Sequence, residues 1–209
     1  MKLVKGRMFY GWYVLIGCVL LSFGISGGQH TFGVFLKPMT EEFEWSRATL
    51  SLAFGITYMI SGLLRPVSGY LADRYSPKAA ALSGVVVMGA MLLLIPFIQN
   101  VVQLYVLFAI MSVGLTLGSG PILTKIVSAW FQSKRGLTLS VVSAAGSLGA
   151  VILVPATSLF LVLSDWKQAY WFLAILLLVL ILPIAMVLIR NRPEDIGSKA
   201  FGENGDGPQ

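Results

Sequence analysis

Six apolar stretches, Tyr10 to Leu36, Ala48 to Tyr70, Ala79 to Ile98, Val102 to Val127, Leu137 to Leu163 and Ala169 to Ile189, fill almost the whole 209-residue chain. Each matches the roughly 20 helical residues that cross a hydrocarbon core about 30 Å thick. Backbone surrounded by lipid must satisfy its own N–H and C=O groups, so each stretch is predicted to be a helix. Charged residues make up 11% of the chain, against about 25% in ordinary globular domains, and they collect between the stretches. The predicted class is an all-α membrane protein. Residues 1–9 form an N-terminal segment, 10–190 a six-helix bundle and 191–209 a linker that stops at Gln209.

Lys2, Lys5 and Arg7 ahead of an apolar run are similar to the start of a secretory signal. The run is too long for a signal core and no Ala-x-Ala site follows it, so it reads as a first membrane helix. With both chain ends on one side, that side holds Lys2, Lys5, Arg7, Arg74, Lys78, Lys134, Arg135, Arg190, Arg192 and Lys199. The other holds only Lys37, Arg47 and Lys167. The basic side belongs in the cytoplasm, which predicts both termini inside; the expected location is the plasma (inner) membrane. The net charge of +6 therefore records topology rather than an affinity for nucleic acid. Gly205 to Gln209 ends the chain without apolar periodicity and reads as disordered linker.

The stretches differ in a way that bears on function. Ser22, Ser26, Gln29 and Gly33 share one helical face of the first. Tyr58, Ser61, Arg65 and Ser68 do so in the second, Gly114, Gly118, Pro121, Lys125 and Ser128 in the fourth, and Ser140, Ser143 and Ser147 in the fifth. The third and sixth are nearly unbroken Val, Leu, Ile, Met and Ala. Small and hydroxylated residues also let membrane helices approach closely, so packing explains part of this pattern. Packing does not call for Gln29, Arg65 or Lys125, because a charge at mid-depth costs at least about 2.5 kcal/mol. Two readings stay open for the cations: they snorkel to an interface, as Lys125 could near Trp130, or they face a polar interior. His30, the only histidine, is either a proton-exchanging group or a packed one one position off the polar face. Trp12, Tyr13, Trp166, Tyr170 and Trp171 near the stretch ends read as an interfacial aromatic belt.

Between the second and third stretches lies Gly69-Tyr70-Leu71-Ala72-Asp73-Arg74-Tyr75-Ser76-Pro77-Lys78. Its Gly-x-Leu-Ala-Asp-Arg core resembles the loop between helices 2 and 3 of the major facilitator superfamily. Pro77 and Lys78 are similar to the version found in its monocarboxylate porter and oxalate/formate antiporter branches, and Ser76 departs from it. Ser76 suits an N-cap and Pro77 a first helical turn. Phe9-Tyr10-Gly11-Trp12, Phe32-Gly33-Val34-Phe35, Trp45-Ser46-Arg47-Ala48, Trp130-Phe131 with Lys134-Arg135-Gly136, and Arg192-Pro193-Glu194-Asp195-Ile196-Gly197 resemble the same branch, in order along the chain.

The resemblance implies half of a twelve-helix fold, built as two inverted three-helix repeats rocking about a midplane site. Its cleft is lined by helices 1, 2, 4 and 5. The implied function is secondary active transport of a small organic anion, a mono- or dicarboxylate, with proton or counter-anion coupling. A C-terminal half or a second copy would complete it. A drug or sugar carrier of the same superfamily, or a non-transporting accessory membrane protein, are the alternatives. Gln29, Tyr58, Arg65, Lys125 and His30 are the candidate substrate residues; Gly69, Asp73, Arg74, Lys78 and Arg135 form the implied conformational latch.

Enzymatic readings find little support. An intramembrane serine protease needs Gly-x-Ser-Gly and a histidine base, whereas Leu117-Gly118-Ser119-Gly120 lacks the first glycine and His30 lies on the first helix. One histidine and one cysteine, Cys18, make neither a metal site nor a disulfide. No cofactor is expected.

Overall fold

The computed structural model describes residues 9–202, with backbone alone at Ala72 and Asp73. Lys2, Lys5 and Arg7, the side chain of Asp73 and the Gly205 to Gln209 tail lie outside the described residues. Six helical spans long and apolar enough to cross a membrane run through the rest. Span 1 comprises Gly11–His30 and Phe32–Phe43, span 2 Arg47–Arg74, and span 3 Pro77–Leu94 with a terminal turn at Ile95–Phe97. Span 4 comprises Val101–Gly118 and Pro121–Trp130, span 5 Arg135–Leu163, and span 6 runs from Trp166 to Leu188 through a widened π segment at Leu176–Ile181.

The span boundaries follow from local chemistry. Ser46, Ser76, Asn100 and Asp165 each accept a bond from a first-turn N–H with the side chain, which satisfies groups the helix start would otherwise leave unpaired. Ser76 accepts from Ala79 N at 3.1 Å, and Pro77 occupies the first turn as its fixed φ allows. Span 1 continues past Leu36, the expected end, to Phe43, and stops where Glu44 turns left-handed at φ 55°. Its polar last turn, Thr40 to Glu42, carries no apolar signal, although it continues the helix.

Around the bundle the spans stand in the order 5, 1, 6, 3, 4, 2, with no substantial contact joining 2 to 5. Exchanging 1 with 4, 2 with 5 and 3 with 6 gives the same order reversed, which is the signature of two inverted three-helix repeats. Glycines make the closest approaches. A Cβ on Gly149 would fall 2.2 Å from the Phe23 carbonyl oxygen of span 1, and one on Gly84 would fall 2.4 Å from Gly118 N of span 4. Gly114 and Gly118 thus serve helix packing rather than a polar face.

Each end of the bundle is fastened differently. At the end holding the 5–6 turn, Glu42 accepts a hydrogen bond from Trp166 Nε1 and pairs with Lys167 Nζ at 2.8 Å. Phe35 stacks on Tyr170 with centroids 3.8 Å apart. Trp166 and Tyr170 are therefore buried contacts between spans 1 and 6, not the interfacial belt expected from sequence, because the extended span 1 covers them. Tyr13 and Trp171 remain exposed.

At the end holding the 2–3 and 4–5 turns, the segment after span 6 folds back onto the bundle. Asn191 Oδ1 accepts from Ser76 Oγ and Lys78 N, both at 2.9 Å. Pro193–Ile196 forms a single turn. Phe201 then pairs with the 4–5 turn: its N–H donates to Trp130 O, and its carbonyl accepts from Gln132 N and Ser133 N. The Phe201 ring meets Phe9 and Phe131, with Lys134 Nζ 5.5 Å above it. The linker is thus a strap from span 6 across the ends of spans 1, 3 and 4 as far as residue 202.

Candidate functional site

The open side between spans 2 and 5 gives onto a cavity of about 390 Å³ lined from spans 1, 2, 4 and 5 and from neither 3 nor 6. This is the division between polar and apolar spans visible in the sequence. Span 1 contributes Ser22, Ser26 and Gln29, span 2 Tyr58, Ser61 and Arg65, and span 5 Leu139, Val142 and Ser143. The structure thus brings Gln29, Tyr58 and Arg65 into one space. Arg65 is the cation in its wall, and no described carboxylate lines it.

Span 4 supplies the rest, and there the structure departs from the sequence reading of one continuous helix from Val102 to Val127. The helix stops at Gly118, Ser119 is extended, and Gly120 adopts φ 48°, ψ −111°, before a new helix starts at Pro121. That conformation suits glycine alone, and Pro121 has no N–H with which to continue the earlier ladder. Thr116, Ser119, Gly120, Pro121 and Thr124 all line the cavity. Among the described residues no side chain caps the second half-helix, so its start, at the lining residues Gly120, Pro121 and Leu123, brings a positive dipole end to this wall. The string Gly118-Ser119-Gly120-Pro121 is the signal that would have revealed the break.

Hydroxyls dominate the polar wall. Thr116 Oγ1 donates to Ser112 O at 2.7 Å and lies 2.9 Å from Ser61 Oγ, while Ser119 Oγ donates to Leu115 O at 2.5 Å. Ser22, Ser26, Tyr58, Thr124 and Ser143 make no side-chain hydrogen bond among the described residues.

The other candidates stand apart. His30 is exposed, with Nδ1 donating to Ser26 O at 2.6 Å, and lines an adjoining recess with Ser26, Ser143, Gly146, Ser147 and Ala150. Lys125 is half-buried and outside the cavity lining. Among the latch residues, Arg74 Nη1 donates to Tyr70 OH at 2.7 Å, and Lys78 Nζ donates to Met186 O of span 6 at 2.6 Å. Gly69 lies within span 2 and Arg135 opens span 5, exposed. Ser68 is buried against Arg65 O and faces packing rather than the cavity.

A model of the Major Facilitator Superfamily matches residues 14–207. Among curated proteins, the chain is similar to the uncharacterized MFS-type transporter YcxA of Bacillus subtilis, 24% identical over 87% of the chain and 45% of that protein. It is also similar to the oxalate:formate antiporter of Oxalobacter formigenes, 28% identical over 85% of the chain and 42% of that protein. For monocarboxylate transporter 13 of Bos taurus the identity is 26%, over 77% of the chain and 38% of that protein. The chain thus spans less than half the length of these relatives. Among solved structures, a bacterial homolog of the human lysosomal transporter Spinster, inward-facing and unoccupied, superposes with a TM-score of 0.77 at 15% identity, over 90% of this chain and 45% of that one.

Proposed function

This chain belongs to the Major Facilitator Superfamily, and we propose that it forms one half of a secondary transporter that moves a small organic anion, a mono- or dicarboxylate, by alternating access. One observation carries the reading: the cavity between spans 2 and 5 places Arg65 and the uncapped start of the second span 4 half-helix in one wall, with no described carboxylate to neutralise them. Half-helix N-termini at mid-membrane breaks receive anionic substrate groups in other transporters. A guanidinium adds charge-assisted, bidentate bonds to a carboxylate. The printed names of the oxalate:formate and monocarboxylate relatives agree with such a ligand.

In this proposal Arg65 holds the carboxylate and Gln29 and Tyr58 add hydrogen bonds. His30 exchanges protons with the adjoining recess, and Lys125 serves as a second cation toward the 4–5 turn. Gly69, Asp73, Arg74, Lys78 and Arg135 form the latch that sets which side is open. Alternating access needs a second six-helix body across the open side, either a C-terminal half or another copy, whereas binding at Arg65 is a property of this half. Coupling is to a proton or a counter-anion. The protein sits in the plasma (inner) membrane with both termini cytoplasmic, as the basic residues around the 2–3 and 4–5 turns favour.

The test is a thermal-shift screen of the purified protein in nanodiscs against carboxylates, neutral sugars and lipophilic cations. Carboxylates should stabilise it, and Arg65→Gln should abolish the shift. Stabilisation by lipophilic cations, or a carboxylate shift unchanged in Arg65→Gln, would overturn the proposal.

A further inference from the structure

We infer that the cavity selects carboxylates carrying two or more hydroxyl groups, the chemistry of sugar acids, over unsubstituted mono- and dicarboxylates. The inference rests on the anion reading above and adds what the remainder of the wall requires. A carboxylate accepts hydrogen bonds and donates none, so it suits Arg65 and the start of the second half-helix of span 4. Beyond that point the wall changes character. Ser119 has spent its single proton on Leu115 O at 2.5 Å and offers only lone pairs, whereas Thr116 is satisfied within the bundle by Ser112 O and Ser61 Oγ. A ligand that meets Ser119 must donate.

Two other ligand classes fit this wall badly. An alkyl chain would leave the lone pairs of Ser119 facing carbon, and it would do the same to Ser22, which is 7% exposed and whose hydroxyl has no hydrogen-bond partner among the described residues. Polar groups left unpaired beneath a bound ligand discriminate between ligands that differ by a hydroxyl. A second carboxylate would meet no second cation in the wall, because Lys125, the other intramembrane cation, is outside the lining. A ligand hydroxyl both donates and accepts, and it satisfies the committed oxygen of Ser119 as well as the free hydroxyls of Ser22 and Tyr58. The cavity, about 390 Å³, is at the small end of ligand pockets, roughly 300–1,000 Å³.

The experiment compares three probes of equal carbon number on the purified chain in nanodiscs, by calorimetric titration. Gluconate has charge and hydroxyls, hexanoate charge alone, and glucose hydroxyls alone. Gluconate should bind about tenfold or more tightly than hexanoate, the scale of one unmet buried hydroxyl, and glucose should bind more weakly than gluconate. Ser22→Ala, which breaks no hydrogen bond, should bring the gluconate to hexanoate ratio toward one without weakening hexanoate. Ser119→Ala should act in the same direction, with its unliganded melting temperature as the check on folding. Arg65→Gln should weaken both acids alike. Hexanoate binding as tightly as gluconate overturns this inference and leaves the anion reading standing. Glucose binding as tightly as either acid, indifferent to Arg65→Gln, overturns both. Failure of both acids to bind at concentrations up to about 10 mM also overturns both, since that limit corresponds to less than about 3 kcal/mol.

Discussion

Gly149→Ala tests whether the bundle depends on direct backbone contact between spans 1 and 5. The new methyl would lie 2.2 Å from Phe23 O and 3.0 Å from Phe23 C. Non-bonded heavy atoms settle near 3.5 Å, so the deficit is roughly 1 Å. The obstructing atoms belong to helix backbone, and no rotamer change relieves them. Spans 1 and 5 must therefore separate, and a gap of about 0.5–1 Å forfeits a quarter to a half of each dispersion contact across the interface. Overpacking of this kind costs about 1–3 kcal/mol, offset by up to about 1 kcal/mol of helix propensity gained over glycine. Since backbone cannot yield, the upper half of that range applies, and about 2–3 kcal/mol less about 1 leaves a net loss of about 1–2 kcal/mol. For a chain of this size that is a fall of roughly 2–8 °C in melting temperature. Gly62→Ala is the matched control, since a Cβ there meets nothing within 4 Å, and it should be neutral or slightly stabilising. Thermal unfolding of both variants in one detergent gives the answer. A Gly149→Ala protein as stable as wild type, or a Gly62→Ala protein that loses as much, would refute the close-approach argument.

Phe201→Ala should release the strap after span 6 by removing ring contacts to Phe9 and Phe131 and the Lys134 cation. Trypsin should then cut at Lys199 faster than in wild type, and equal cleavage rates would contradict docking. Glu42→Gln should weaken the clamp between spans 1 and 6 by no more than about 1 kcal/mol, because the Glu42–Lys167 pair is partly exposed. Its effect should shrink in high salt, and a salt-independent loss would assign the clamp to Trp166 instead. Cysteines introduced singly at Glu42 and Lys134 should label oppositely with an impermeant maleimide added outside cells, position 42 reacting and 134 not. Cys18 is fully buried and stays silent. Labelling of position 134 alone would invert the topology.

Much of the architecture was legible because membrane physics leaves few choices. Apolar runs of about 20 residues in lipid become helices whatever their neighbours do. The side-chain periodicity of Ser22, Ser26, Gln29, Tyr58, Ser61 and Arg65 then marked an inward face, and all of them line the cavity. The same reasoning misread Gly114, Gly118 and Ser68, since a small residue looks alike whether it meets water or another helix. It also misplaced Trp166 and Tyr170, which carry the signature of an interface and yet are buried under the extended end of span 1.

The sequence alone determined that the chain spans a membrane six times and which of its helices carry polar faces, because burial in lipid penalises each polar group residue by residue. It also determined the family, through the 2–3 loop and the motifs strung in order behind it. The tertiary structure decided what those faces enclose. It decided that Arg65 shares a cavity with Gln29 and Tyr58 while His30 and Lys125 do not. It placed the break in span 4 at that cavity and drew the segment after span 6 back onto the 4–5 turn. Each of these depends on how far one helix lies from another and how each is rotated about its axis. Those quantities are set by glycine contacts such as Gly149 on Phe23 and Gly84 on Gly118, between residues far apart in sequence, and no local pattern encodes them.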